Sequence, residues 1–356
     1  MDNNMKSQDP RPKADEVMDN SDHKAPEDAY CDPETGVCSI MGQEDGYMPD
    51  GMVCDPETGV CTIVGSETAE EASSFGVTLD EGTKPFQMIY VTDPVCSYCW
   101  QVEPELRKFM AHYGHVMDIK ILMGGLLPSW DGFADEGNNI RKSSDVGEHW
   151  REAASQFGMP IDGTVWNNDP ITSSYPASTA FKVVQQISGT SARRYLRAVR
   201  EAVMVFNENI AKDDVLITVL DRNDRNGKKV VEDIKTPEAR ALLEEDLSLS
   251  RQLGAMSFPT VILLDKEGNG VRVPGMQRFE TYEEALGSIA EEMPEAAPLP
   301  ELMDMFDVSR LIFFKEIETM YELKPEEVEP FILHNLSEDS YEMREILNSR
   351  YIIRRK

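Results

Sequence analysis

An apolar run, Phe86-Gln-Met-Ile-Tyr-Val91, gives way to a helical pattern, Trp100 to Tyr113, across two cysteines in Cys96-Ser97-Tyr98-Cys99. This junction limits the fold more than any other feature of the chain. The run is bounded by Pro85 and by Asp93-Pro94, as a buried strand is, and Val102, Leu106, Phe109 and Met110 follow at helical spacing. Val116 to Met123 returns as a strand before Gly124-Gly125, which completes a β-α-β unit. A cysteine at a helix start meets unpaired N–H groups and the positive end of the helix dipole, so Cys96 is placed to be a thiolate. Cys99, one turn on, is placed to resolve a mixed disulfide. C-x-x-C is also half of a zinc site, but no second C-x-x-C and no histidine cluster follows in the domain. Ser97-Tyr98 adds no positive charge or histidine beside Cys96, so the couple is expected to be moderately reducing.

Strand signals fade between about 126 and 254, where Ala177 to Ile187, Ala192 to Asn207, Asp213 to Leu220 and Pro237 to Leu253 carry helical patterns. The β-α-β unit is therefore followed by a helical insertion. Pro259-Thr-Val-Ile-Leu-Leu264 and Gly270-Val-Arg-Val273 then flank Asp265-Lys-Glu-Gly-Asn-Gly270, whose glycines and Asn suit a hairpin loop. Thr281 to Glu292 reads as a closing helix. Ser257-Phe258-Pro259 precedes the first hairpin strand, and a proline there belongs at a strand start or a special turn; a cis bond would turn the preceding backbone toward the dithiol. These three residues are the candidate substrate-docking segment. A linker, Met293 to Pro300, leads to a C-terminal module at 300–356, read as helical or winged-helix, with an amphipathic helix around Met303 to Tyr321 and a basic, solvated end, Arg350 to Lys356.

All six cysteines lie at or before Cys99, and four of them are in the first 82 residues. Residues 1–80 carry 19 acidic and 4 basic side chains, half of the chain's formal charge of −30, so the segment is expected to be an acidic, disordered arm. It contains a repeat: Cys31-Asp-Pro-Glu-Thr-Gly-Val-Cys38 returns as Cys54-Asp-Pro-Glu-Thr-Gly-Val-Cys61. Asp-Pro-Glu-Thr-Gly is turn chemistry, so each unit should fold back and bring its two cysteines together. Cys31, Cys38, Cys54 and Cys61 can be two reversible disulfides exchanging electrons with Cys96, a four-thiolate zinc site or idle thiols. The six-residue spacing is longer than paired zinc ligands use, which favours the disulfides, and no cofactor other than a redox-active Cys96–Cys99 disulfide is expected.

The acidic balance argues against nucleic acid and anionic lipid as partners. No apolar stretch approaches membrane-spanning length and no apolar signal core follows Met1, so a soluble, cytoplasmic protein is expected. Trp100, Trp130, Trp150 and Trp166 read as core residues, and His112 and His115 as partners of a helix C-terminus. Gly124-Gly125-Leu-Leu-Pro128 lacks the G-x-G-x-x-G pattern, so no phosphate loop is supported.

The order strand, Cys96-Ser-Tyr-Cys99, helix, strand, helical insertion, Phe258-Pro259, hairpin, helix resembles the DsbA family of the thioredoxin superfamily. Tyr90-Val-Thr-Asp-Pro-Val-Cys-Ser-Tyr-Cys-Trp-Gln-Val-Glu-Pro104, Gly163-Thr-Val-Trp166, Ser173-Ser-Tyr-Pro-Ala-Ser-Thr-Ala-Phe-Lys182, Val271-Arg-Val-Pro-Gly-Met276 and Phe314-Lys-Glu-Ile317 are similar to YjbH/SpxH-type adaptors, which deliver the regulator Spx to the protease ClpXP. The resemblance runs from about Pro85 into the C-terminal module. It implies a thioredoxin-like α/β domain at 83–293, Cys96 as attacking thiol, Cys99 as resolving thiol and Pro259 as a cis-proline opposite them. The activity implied is protein thiol-disulfide exchange with a protein or small-molecule disulfide or thiol as substrate. The alternative is a proteolysis adaptor that binds a regulator or a protease on the same fold.

Overall fold

The computed structural model describes residues 83–131, 133 and 140–355, together with the backbone of three short strands nearer the N-terminus, β1 (Cys38–Ser39), β2 (Met52–Cys54) and β3 (Cys61–Ile63). The rest of the expected arm, residues 1–82, lies outside the described residues. Of these strands, β1 and β3 pair with strands of the folded domain and β2 pairs with β3.

The apolar run forms β4 (Phe86–Thr92), buried along most of its length. It pairs in parallel with β5 (Met117–Met123) and antiparallel with β7 (Thr260–Leu264), which pairs with β8 (Gly270–Pro274). With β3 added to β8 and β2 to β3, the sheet has the order β2-β3-β8-β7-β4-β5. A two-residue strand, β6 (Ser257–Phe258), stands just before β7 and pairs with β1. The expected hairpin is present: Asp265 N–H donates to the Asn269 carbonyl across its loop.

The helix after the dithiol is two pieces, α1 (Ser97–Gln101) and α2 (Glu103–Tyr113), with Pro104 in the first turn of the second. Proline is tolerated there because it lacks only an N–H that a new helix would leave unpaired. The insertion supplies α3 (Ser143–Phe157), α4 (Val165–Asn168), α5 (Tyr175–Ile187), α6 (Gly189–Arg200), α7 (Asp213–Asp221), α8 (Gly227–Asp233) and α9 (Pro237–Gln252). Helices α3, α4 and α8 are additional to the expected ones. In α3 only Val146, Gly147, Trp150 and Ala153 are buried, a narrow apolar face in a polar sequence. Gly147 lies so close to the Gly163 carbonyl that a Cβ would come within 2.5 Å of its oxygen. At its end α6 widens into one π turn, Glu201–Val205. Helix α10 (Phe279–Ile289) closes the domain.

The C-terminal module differs from the expected amphipathic helix. A short 3-10 turn (Asp304–Asp307) leads to β9 (Leu311–Phe313), α11 (Phe314–Tyr321) and α12 (Val328–Asn335), then to the hairpin β10 (Tyr341–Ile346) and β11 (Ser349–Arg354). The basic end is a strand, with Tyr351, Ile352 and Ile353 paired to Phe313, Ile312 and Leu311. Leu311, Phe313 and Tyr351 join the core of the thioredoxin-like domain, while Ile312, Ile317, Met320 and Ile332 fill the module's own core. The segment before the module is held to α2, since the Ala297 N–H donates to the His112 carbonyl and the Ala297 carbonyl lies 2.9 Å from His112 Nδ1.

Candidate active site at the dithiol

Cys96 is the cap residue of α1, and its Sγ accepts the Cys99 N–H at 3.2 Å. On its other side the Sγ lies 3.6 Å from the carbonyl oxygen of Phe258. The Phe258-Pro259 bond is cis. The expected docking segment Ser257, Phe258 and Pro259 is thus brought against the first cysteine, although 162 residues separate Cys96 from Phe258 in sequence. Both thiols are buried: Cys96 is 2% exposed and Cys99 is fully enclosed.

Two networks hold the dithiol loop. Asp93 is completely buried and its carboxylate accepts the Val95 and Leu126 N–H groups and the Ser174 hydroxyl at 2.9 to 3.0 Å. It ties the cysteine loop to the loop after β5 and to the start of α5. Helix α1 is pinned by Trp100 Nε1 donating to the Pro160 carbonyl and by Gln101 bonding both the N–H and the carbonyl of Met159.

Beneath Cys99 lies a positive charge that the sequence reading did not find. Arg200, at the end of α6, has a side chain only 2% exposed; it donates to Glu103 Oε1 at 2.8 Å and to the Thr92 hydroxyl. Among the described residues its Nε has no hydrogen-bond partner. Thr92 in turn hydrogen-bonds the Cys99 sulfur, and the Tyr90 hydroxyl donates to the Cys99 carbonyl at 3.4 Å. Burial alone disfavours a charge on Cys99, but the bond from Cys96, the Arg200 guanidinium and Thr92 together bring its thiol below the ordinary range. Cys96 goes the other way: burial raises its thiol well above the usual value, with the bond it gives to Cys99, the Cys99 charge and Asp93 acting in the same sense. Ser97-Tyr98 supplies no cation beside Cys96, whereas α6 brings the Arg200 guanidinium to Cys99 from a distant part of the chain. The two thiols titrate as a pair, and Arg200 favours a negative charge on it.

Arg200 belongs to a larger buried cluster. Arg197, one residue triplet earlier on α6, pairs with Glu103 at 2.5 Å, Glu201 at 2.7 Å and Glu316 at 2.8 Å, and Arg107 also reaches Glu316. Its guanidinium lies 4.6 Å from the centre of the Trp100 ring, whose edge meets Phe313. One guanidinium serving three carboxylates leaves Glu201 under-compensated, and burial pushes it up to about 7. This cluster joins the dithiol helices, α6 and the C-terminal module.

Beside Cys96 a small apolar pocket of about 50 Å³ is walled by Leu126, Trp130, Phe133, Ile140, His149 and Trp150. Trp100, Trp150 and Trp166 are buried as expected, but Trp130 and Trp150 also face this pocket, stacked edge-on through Trp166. His149 packs on Tyr98 at 5.6 Å, so α3 supplies the histidine that Ser97-Tyr98 lacks. The side chains of Cys31, Cys38, Cys54 and Cys61 lie outside the described residues. Among the described residues there is no group of three His, Cys, Asp or Glu side chains that could hold a metal ion, and no helix is long and apolar enough to cross a membrane.

The Thioredoxin_5 family profile, described as thioredoxin, matches residues 89–284. The chain belongs to the Thioredoxin_5 family. The match begins inside β4 and ends inside α10, so it covers the dithiol, the insertion and the cis-proline strand. Two curated relatives are each 28% identical: the ClpXP adapter protein SpxH of Halalkalibacterium halodurans over 248 residues, and that of Bacillus subtilis over 250. Each alignment spans 69% of this chain and 81% of the relative. Among solved structures, a candidate protein disulfide isomerase from Nitrosomonas europaea superposes with a TM-score of 0.50 at 18% identity, covering 58% of this chain and 97% of that one. The chain is thus a member of this thioredoxin family and is similar to the SpxH adapters.

Proposed function

We propose that the protein is a thiol-disulfide oxidoreductase working through Cys96 and Cys99. The observation that carries this reading is the juxtaposition of a helix-capping Cys96 with the Phe258 carbonyl at the cis-proline, above a Cys99 served by Thr92 and Arg200. Attack begins when a proton passes from Cys96 to Cys99, which leaves the thiolate on the sulfur nearer the docking segment. Cys96 then attacks a substrate disulfide, releasing one substrate thiolate that takes a proton from solvent and forming a mixed disulfide. Cys99 loses its proton, is held as thiolate by Thr92 and Arg200, and attacks Cys96 to release the second substrate thiol. Two electrons pass from the dithiol to the substrate, and the reverse sequence oxidises a substrate dithiol. A substrate with an apolar residue beside its cysteine fits the pocket walled by Trp130 and Trp150. The test is exchange with oxidised glutathione and with a peptide disulfide: wild type should turn over and Cys96→Ser should not, whereas equal rates would refute the proposal.

A second reading, an adaptor presenting a regulator to a protease, is favoured by one observation. The C-terminal module shares a core and the Glu316–Arg197 pair with the dithiol domain, and the SpxH relatives named above are adapters. Deleting the module does not separate the two readings, because that cut removes Glu316 and Phe313 from beneath α6 and Trp100. Replacing both Cys96 and Cys99 by serine does: loss of cellular function assigns it to the dithiol, and full function with partner binding retained assigns it to the adaptor surface. In either case the fold and charge suit a protein working in the cytoplasm.

A further inference from the structure

The backbone of Cys38 and Ser39 is placed against the docking segment. Strand β1 pairs antiparallel with β6 in a register that sets Cys38 opposite Phe258 and Ser39 opposite Ser257. Phe258 is the residue whose carbonyl lies 3.6 Å from Cys96 Sγ. Backbone pairing at an exposed strand edge is how an extended segment docks on a sheet, and here the chain supplies that segment itself. The second unit shows what such a repeat can do: β2 and β3 pair with Cys54 directly opposite Cys61. Opposed residues of an antiparallel pair have Cα atoms about 4.5 to 5.5 Å apart, inside the range a disulfide spans. Residues 31–38 repeat residues 54–61 at every position, so Cys31 and Cys38 carry the same spacing and turn chemistry. The two units are not equivalent toward the dithiol. Cys61 pairs with Arg272 on β8, and β7 separates β8 from β4. At about 4.8 Å between strands this puts Cys61 about 14 Å from β4.

We propose that Cys38 is the intramolecular exchange partner of Cys96, so that the first cysteine unit is a tethered substrate and electron store for the dithiol. This rests on the oxidoreductase reading above. With the Cys96–Cys99 pair reduced and Cys31–Cys38 as a disulfide, the Cys96 thiolate attacks Cys38, a Cys96–Cys38 bond forms and Cys31 leaves as a thiolate that is protonated by solvent. Cys99 then attacks Cys96 and releases Cys38, so two electrons move from Cys96 and Cys99 to Cys31 and Cys38. A low-molecular-weight disulfide such as oxidised glutathione recharges the arm, taking up two electrons and two protons as it becomes two thiols. While β1 is paired, the edge that an external substrate strand would use at Ser257 and Phe258 is taken.

The experiment uses the full chain with Cys31→Ser, Cys54→Ser and Cys99→Ser, which leaves Cys38, Cys61 and Cys96 each without its own partner. Dilute protein is oxidised with diamide, which removes two electrons and two protons from two thiols, and the disulfides are mapped by mass spectrometry without reduction. The expected product is a monomer linked Cys38 to Cys96, at least about 10-fold over the link from Cys96 to Cys61, as an effective concentration set by strand pairing requires. Equal linkage to both would overturn the proposal, as would one zinc per chain that is lost on Cys38→Ser. A Cys96 that accepts glutathione from oxidised glutathione yet never links to Cys38 also refutes it, and leaves the oxidoreductase reading standing. A Cys96 that accepts no glutathione refutes that reading instead.

Discussion

Arg200→Met tests the electrostatic account of the dithiol. Arg200 and the Cys99 sulfur are joined through the Thr92 hydroxyl by two hydrogen bonds in series, which puts the charges about 6 Å apart. Opposite charges at that distance attract by about 3 kcal/mol at an effective dielectric of about 20. Glu103 stays paired with Arg197 and charged in both proteins, so its repulsion of the thiolate is unchanged and the full Arg200 attraction is lost. Removing the charge should therefore raise the Cys99 thiol. Because the thiolate belongs to the reduced state, its loss should also make the couple about 60 mV more reducing. The potential shift is complete above both Cys99 pKa values and disappears in acid, where both proteins hold a protonated dithiol. Folding should suffer by about 3 kcal/mol, the low end for breaking a buried pair, since Glu103 keeps Arg197. The assays are thiolate absorbance against pH, equilibration with glutathione buffers and urea unfolding. Arg200→Lys should restore most of the potential. An Arg200→Met protein that is folded, with thiolate titration and potential both unchanged, would refute the argument.

Glu201 should give stability its own pH dependence. Its folded pKa is raised to about 7, so the folded state holds a proton that the unfolded chain has lost; the contribution is present below the unfolded value and fades as pH rises through about 7. Urea midpoints measured from pH 4 to pH 8 should fall across that window in wild type and lose this slope in Glu201→Gln. Phe313→Ala empties a fully buried site against the Trp100 edge and should cost about 3 to 5 kcal/mol, with dithiol domain and C-terminal module unfolding in one urea transition; two separate transitions would contradict the shared core. Gly124→Ala would bring a Cβ within 2.0 Å of the Phe258 ring, so the ring beside the cis-proline must move. A cost of about 1 to 3 kcal/mol and slower glutathione exchange are expected, and an unchanged exchange rate would show that Phe258 does not set the docking geometry.

The sequence made legible what is locally encoded. The β4 apolar run, Cys96-Ser97-Tyr98-Cys99, the hairpin loop at Asp265 and Phe258-Pro259 each announce themselves within a few residues. What stayed hidden was set by distant pairing. Arg200 reaches Thr92 across 108 residues, and nothing in the α6 sequence marks it as the cation under Cys99. Leu302, Met305, Phe306, Ile312, Ile317 and Met320 suit one amphipathic helix, yet Leu311 to Phe313 extend because β11, some 40 residues on, pairs with them. The same holds for Arg350 to Arg354, whose charges read as a solvated end until the partner strand is known. Trp130 looked like a core residue because its place in the wall beside Cys96 depends on which helices cover the dithiol.

The most direct test of the central claim is a redox titration of the full chain in glutathione buffers, with alkylation trapping and mass-spectrometric assignment of each thiol. The account calls for one reversible two-electron couple at Cys96 and Cys99 that is lost in Cys96→Ser. Trapping of these two thiols that is identical across the whole range of buffers would contradict it.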